Sequence, residues 1–339
     1  MKKAISILMV LFVLSVSVIG CGQKQTPVSK GTAGSPKLEK VIVADIRGES
    51  WLPVYLAYQL GYFKEQGLNV EFATYKDGPI AFQGMHAGDS QFCMLSSEPV
   101  MRAYDEGKES VIILSTLTNK PYMFVTRKGI NKISDLKGKV VFAGMPGSAP
   151  YTFVSSLLAK EGLDPQKDVT WANLEYGATL AALEKGQVDG AYLRSISKAD
   201  AIKIGANILV NVSDPVEHKK MYGSDKYESS IVTVTKKYAE TNPETIQKFT
   251  NAVVKAIVWQ TGHSDEEVAK TIIPLFPNFR VEYVTALRSS LSKTGEISEE
   301  GHQIINDFCK QQGIIKKDIP YQNIIDMTYI NKANQEFNK

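Results

Sequence analysis

Residues 53–72 read PVYLAYQLGYFKEQGLNVEF, and this stretch decides the fold class. Its first part reads as one amphipathic helix running to Gly67. Pro53 suits the first helical turn, where its missing N–H has no partner to lose. Ser50 or Glu49 is placed to accept from the open amides at that end. Gly67 supplies the left-handed residue that closes a helix at low steric cost. Leu68, Val70 and Phe72 then alternate with Asn69 and Glu71, the period of a half-buried strand. Upstream, Val41-Ile42-Val43-Ala44 is a short apolar run, so the unit is strand, loop, helix, strand. A parallel pair of strands needs such a crossover. The loop 45–52 therefore lies at the carboxyl end of the first strand, above a helix N-terminus, where open α/β sheets bind ligands.

The alternation continues downstream. Helical patterns cover 79–87, 99–106, 148–161 and 178–185, with a short turn at 133–136. Strand patterns cover 91–95, 111–117, 122–126, 140–143, 169–174, 188–193 and 208–212. Such alternation argues for parallel α/β layers. After a strand over 230–235 the periodic segments become helical. Asn242-Pro243 has the cap-then-proline form of a helix start, and Ile246, Phe249, Val253 and Ile257 follow at helical spacing. Further helices are expected over 266–275, 281–291, 298–311 and 327–336.

The 339 residues, 43% hydrophobic and 22% charged, are an ordinary globular composition with room for about two domains of roughly 100–200 residues each. The first twenty residues stand apart. Lys2 and Lys3 precede an apolar run from Ala4 to Gly20 that ends at Cys21, the layout of an export signal. Val18-Ile19-Gly20-Cys21 resembles a lipoprotein signal box, which would make Cys21 the lipid-bearing residue of the processed chain. An uncleaved anchor is the alternative, although the run is at the short limit for a membrane span. Either way the remainder is expected outside the cytoplasmic membrane, attached to it. Residues 22–37, GQKQTPVSKGTAGSPK, hold too little apolar surface to fold and read as a flexible tether from Cys21 onward. Losing residues 1–20 removes Lys2 and Lys3 and no acid, which lowers the net charge from +3 to +1. That balance points away from nucleic acid as a partner. Cys93 and Cys309 sit in apolar surroundings and read as small buried groups.

Enzyme signatures are absent from the sequence. It has no Gly-x-Gly-x-x-Gly, no phosphate loop and no Gly-x-Ser-x-Gly elbow. His86, His218, His263 and His302 lack the spacing of zinc ligands and read as surface or helix-end residues. No cofactor and no metal are expected. The chain offers instead polar loops at helix starts: Ser96-Ser97 after one strand, Thr116 at the end of another, Gly147-Ser148 after a third. Free amides and hydroxyls at such places hold an anion without a counter-charge, although serine caps helices everywhere. Trp51, Tyr122, Tyr151, Tyr176 and Tyr192 fall near the same loops and would wall a pocket for a flat or partly apolar ligand. Arg194, just past a strand, is placed to pair with an acidic ligand group.

Residues 53–72 resemble the opening signature of the nitrate/sulfonate/taurine and thiamine-precursor family of solute-binding proteins, which serve ABC importers. GMHAGDSQFCML (84–95), ISDLKGKVVFAGMPGSAPYTFVSSLLAKEGLDPQKDV (133–169), AALEKGQVDGAYL (181–193) and NPETIQKFTNAVVKAI (242–257) are similar to further family segments, in the same order. The resemblance implies an α/β, two-lobed type II periplasmic-binding-protein fold with a cleft between lobes and a helical C-terminal part. Lobe one would be residues 38–120 plus 229–339, and lobe two residues 121–228. It also implies cleft closure on a small ligand, a permease partner and a monomer. The family's ligand-facing loops map onto Ser50, Trp51, Gly78, Ser96, Ser97, Thr116, Gly147, Ser148 and Tyr176. Sulfonate-like anions and flat heterocycles remain open as ligands. So do two other roles, a pyrimidine-forming enzyme on this fold and a ligand-sensing lipoprotein.

Overall fold

A computed structural model describes residues 37–339; the expected signal, Cys21 and nearly all of the expected tether lie outside the described residues. Among the described residues, ten strands form two five-stranded sheets. The chain begins with β1 (Glu39–Asp45), α1 (Leu52–Gln59), α2 (Tyr62–Glu65), β2 (Leu68–Thr74), α3 (Gly78–Ala87), β3 (Phe92–Ser96), α4 (Ser97–Asp105) and β4 (Ser110–Ser115). It continues with β5 (Tyr122–Thr126), β6 (Lys139–Phe142), α5 (Ala149–Lys160), β7 (Val169–Trp171), α6 (Thr179–Glu184), β8 (Gly190–Arg194), α7 (Lys198–Lys203), β9 (Asn207–Asn211) and α8 (Pro215–Tyr222). Then come β10 (Ser230–Thr235), α9 (Lys236–Thr241), α10 (Pro243–Gly262), α11 (Asp265–Ile272), α12 (Val281–Leu287), α13 (Glu299–Gln311), α14 (Tyr321–Ile324) and α15 (Thr328–Phe337).

The first sheet has the order β2-β1-β3-β10-β4, the second β7-β6-β8-β5-β9. The fold is α/β and two-lobed, but its sheets are mixed rather than parallel throughout. β10 runs antiparallel to β3 and β4, and β5 antiparallel to β8 and β9. The cause is connectivity. Each of these strands enters its sheet directly after the chain has crossed from the other one, over residues 116–121 and 223–229, so it starts at the end where its neighbours finish.

The opening helix also differs from the sequence expectation. α1 stops at Gln59 and α2 restarts at Tyr62, because Gly61 adopts φ +77°, a left-handed conformation that only glycine reaches cheaply. A 3₁₀ turn at Glu49–Trp51 precedes α1, and Trp51 occupies its N-cap with no side-chain cap. Glu49 and Ser50 are therefore free for other roles. The helices 198–203, 215–222, 236–241 and 321–324 lie where the sequence pattern announces none.

Three apolar clusters hold the layers together. One lies between the first sheet and α1, α10 and α15. A second covers the far face of the second sheet. The third is continuous from the α3 and α4 side of the first sheet, through Tyr122, Tyr192 and Tyr227, to α5 on the second. At the crossings, Lys120 is 1% exposed and Glu98 fully buried. Lys120 Nζ pairs with Glu98 Oε1 and lies 4.6 Å from the ring centres of Tyr122 and Tyr227. Tyr227 also donates to Glu98 Oε1, at 3.0 Å. Both crossing segments are thus tied to one carboxylate on α4. His218 joins them as a buried residue, and His302 is buried too, where the sequence led us to expect surface or helix-end positions. The His218 Nδ1 donates to the Ser224 carbonyl at 2.7 Å, and its Nε2 accepts from the Lys120 amide at 3.3 Å. Cys93 and Cys309 are buried free thiols.

Candidate functional site

Two loops from the first sheet and two from the second converge on a cavity between the sheets. It is lined by Ile46, Ser50, Trp51, Asp77, Gly78 and Ser96 from one side, and by Tyr122, Ser148, Tyr176, Tyr192 and Arg194 from the other, with Pro99, Ala149, Pro150 and Ser230 completing the wall. Measured to the centres of water-sized spheres it holds about 40 Å³, room for about three waters at roughly 10–15 Å³ each.

Four helices of eight or more residues begin at this cavity, which places the positive ends of their dipoles around it. Asp77 caps α3 through Gly78 N (2.7 Å) and Ser148 caps α5 through Tyr151 N (3.3 Å). No side chain caps α1 or α4. The Ser96 hydroxyl, at the N-cap of α4, lies instead 3.2 Å from the Tyr122 hydroxyl. The first amide of each is spent inside the protein, Leu52 N on the Glu49 carbonyl and Ser97 N on the Ser229 carbonyl, and Pro53 and Pro99 carry none, so these ends act on the cavity chiefly through their dipoles.

Arg194, at the end of β8, donates to Glu49 Oε2. Burial works against its charge, yet Glu49 and the neighbouring tyrosines hold its pKa above the ordinary value. Burial also pushes the Tyr122, Tyr176 and Tyr192 hydroxyls up. Asp77 Oδ2 accepts from Met145 N at 2.9 Å and from the Tyr176 hydroxyl at 3.0 Å. Burial raises its pKa, against these bonds. Gly144 makes that contact possible. It has φ +78°, and a Cβ there would collide with the Tyr176 hydroxyl and stand 2.7 Å from Asp77 Oδ2. Nearby, Lys76 Nζ reaches Asn173 Oδ1 at 2.9 Å and Glu175 Oε1 at 3.2 Å.

Of the residues nominated from sequence, the cavity brings together Ser50, Trp51, Gly78, Ser96, Ser148 and Tyr176. It does not bring in Ser97, Thr116 or Gly147. Ser97 is buried, its amide donating to the Ser229 carbonyl. Thr116 is buried behind the wall, its hydroxyl donating to the Ser50 carbonyl at 2.6 Å and the Ser230 carbonyl at 3.1 Å. Gly147 faces Arg102 and Pro79. Trp51 is mostly core, 3% exposed, and its Nε1 donates to the Ile231 carbonyl at 2.9 Å. Tyr151 packs on Trp171 instead of the cavity. The sequence reading missed Asp77, which Asp77-Gly78-Pro79 marks as a helix cap and nothing marks as a bridge. It also missed Glu49 as a partner of Arg194.

Among the described residues the lining contains no His, Lys or Cys, no group of three metal-ligating side chains occurs, and no helix is long and apolar enough to cross a membrane. The sequence profile described as NMT1/THI5 like matches residues 49–267, more than half of the chain. The chain belongs to the NMT1/THI5-like family. A Bacillus subtilis (strain 168) protein named for binding aliphatic sulfonates is 27% identical across 99% of this chain and 98% of its own length. The alkanesulfonate-binding protein SsuA from Xanthomonas axonopodis pv. citri, solved with MOPS bound, superposes at TM-score 0.66. It is 16% identical, over 87% of this chain and all of its own. The desulfurization enzyme DSZB superposes at TM-score 0.65 with 12% identity, over 88% and 99% of the two chains. At such identities the structural likeness speaks for the fold alone, a fold that serves binding proteins and an enzyme alike.

Proposed function

We propose that this family member is an extracytoplasmic solute-binding lipoprotein that captures a small organic anion between its lobes and delivers it to an ABC importer. The observation that carries the reading is the convergence of four helix N-termini and Arg194 on one small cavity between two sheets. Positive helix ends and a guanidinium suit an oxyanion such as a sulfonate or carboxylate. The cavity's size favours a compact head group over a large flat ring. The similarity to the aliphatic-sulfonate relative supports the same ligand class.

The rest of the role follows from the sequence. Lobe one is taken as 38–120 plus 229–339 and lobe two as 121–228, each containing all strands of one sheet. Cleft closure buries the ligand, Cys21 carries the lipid that holds the protein at the membrane, and a monomer meets the permease. A binding rather than catalytic role is supported by the lining, where Ser96 and Ser148 have no histidine beside them and the Asp77 carboxylate is engaged by three donors.

The test is thermal unfolding of the purified protein against alkanesulfonates, taurine, small carboxylates, nitrate and pyrimidines. A ligand at a hundred times its dissociation constant adds about 2.7 kcal/mol, which raises the midpoint by several degrees. The expected hit is a compact organic anion, recovered chemically unchanged by mass spectrometry. Conversion of the hit would establish an enzyme; no shift with any anion would remove the anion reading.

A further inference from the structure

The charge balance around the cavity determines which anions can enter it, given the reading of this cavity as the anion site. Among the described residues Arg194 is the only cationic side chain on the lining, and one of its donors is already committed to Glu49. Glu49 is 8% exposed, and its second oxygen, Oε1, is buried without a partner. Glu49 stands behind Arg194 and off the lining, where Asp77 is the one carboxylate among the described residues, also buried. Glu49, Asp77 and Arg194 together therefore carry one net negative charge. The tyrosines facing Arg194 do not alter that balance, since burial keeps their hydroxyls protonated.

A monoanion entering this cavity finds the remaining guanidinium N–H groups and the positive ends of α1, α3, α4 and α5. At about half a charge each, the four ends offset the net negative charge and leave about one positive charge for a ligand. A dianion of the same shape brings a second full charge that nothing matches, because Arg194 is already shared with the Glu49 carboxylate. An uncompensated charge in such surroundings is strongly unfavourable. We infer that Glu49 is a specificity-determining residue, which admits organic monoanions and rejects dianions of equal size. It acts by holding Arg194 half-neutralised, so that selection rests on charge rather than shape.

Alkanesulfonates and alkylphosphonates of equal chain length test this directly, because they share a shape and differ in charge. Titration calorimetry would compare methyl to butyl pairs on the full protein and on Glu49→Gln, above the second ionisation of the phosphonate. The glutamine keeps an oxygen for Arg194 and removes the charge. The wild type is expected to prefer the sulfonate by about tenfold or more, equivalent to about 1.4 kcal/mol. Glu49→Gln should narrow that preference by a similar factor, mainly by tightening the phosphonate. An equal preference in both proteins overturns the inference, as does wild-type binding of the phosphonate dianion on a par with the sulfonate. The wild type alone gives a second readout. Lowering the pH through the phosphonate's second ionisation should bring its affinity up to that of the sulfonate, whose own affinity stays flat. A phosphonate affinity that does not move with pH overturns the inference without any variant. If no member of either series binds, the anion reading of the cavity itself falls, and this inference with it.

Discussion

Asp77 shows how much one side chain does here. Its carboxylate caps α3 and at the same time accepts from Met145 and Tyr176 of the opposite loops. Hydrogen bonds to a charged group contribute about 1.5–3 kcal/mol each. Asp77→Asn turns an amide toward the Met145 N–H and should weaken ligand binding by about tenfold or more. The loss should appear in the off-rate, since these bonds hold the two sides together after the ligand has arrived. Gly144→Ala gives the control. Gly144 is not on the cavity lining, yet its Cβ would wedge apart Tyr176 and Asp77. It should also quicken release; stopped-flow off-rates unchanged in both variants would remove the bridge from the binding mechanism. Ser148 was legible in the sequence because a serine before Ala149-Pro150 is a helix cap wherever it occurs. Asp77 carries the same signal, a cap before Gly78-Pro79, yet the sequence reading passed over it. Its second set of partners lies 68 and 99 residues away, where no local pattern reaches. Thr116 shows the opposite failure: a hydroxyl at a strand end looks available, and the fold turns it inward onto two carbonyls.

At the scale of elements, the crossings are the informative part. Residues 116–121 and 223–229 bring Lys120 and Tyr227 to the same Glu98 on α4. Burial works against the Lys120 ammonium, and Glu98 holds its pKa above the ordinary value all the same. Lys120→Met leaves the Glu98 carboxylate buried without a counter-charge and should cost about 3–5 kcal/mol. The double variant Lys120→Met/Glu98→Leu should recover much of that loss, because a well-packed apolar pair needs no such compensation. Denaturant unfolding of the two singles and the double measures the coupling. Losses that simply add would show the pair to be independent. Strand positions such as Tyr122–Thr126 and Ser230–Thr235 were readable from pattern, but their directions were not. Alternating side chains say that a segment is extended; only the path of the chain says which way it enters. The break at Gly61 was equally hidden, since the apolar spacing runs on through it.

For the whole molecule, the two-lobed plan follows from repeated strand and helix units, and the cavity from where their loops meet. The family resemblance supplied what periodicity could not, namely that the chain leaves the first sheet and returns to it. That return has a consequence for assembly. β10 is the last strand made, yet it fills the place between β3 and β4. The second sheet can complete its ladder once Asn211 has been synthesised; the first stays open at its middle until Thr235 follows. A chain ending at Ser229 should retain slow amide exchange over β6, β8 and β5 while β4 exchanges freely, and equal protection of both sheets would contradict this. A chain in the course of synthesis would thus present one finished sheet beside an unfinished one, with β3 and β4 bare along facing edges. Such edges are where strange strands attach, so the interval between residues 211 and 235 is the period in which this chain is most open to mispairing.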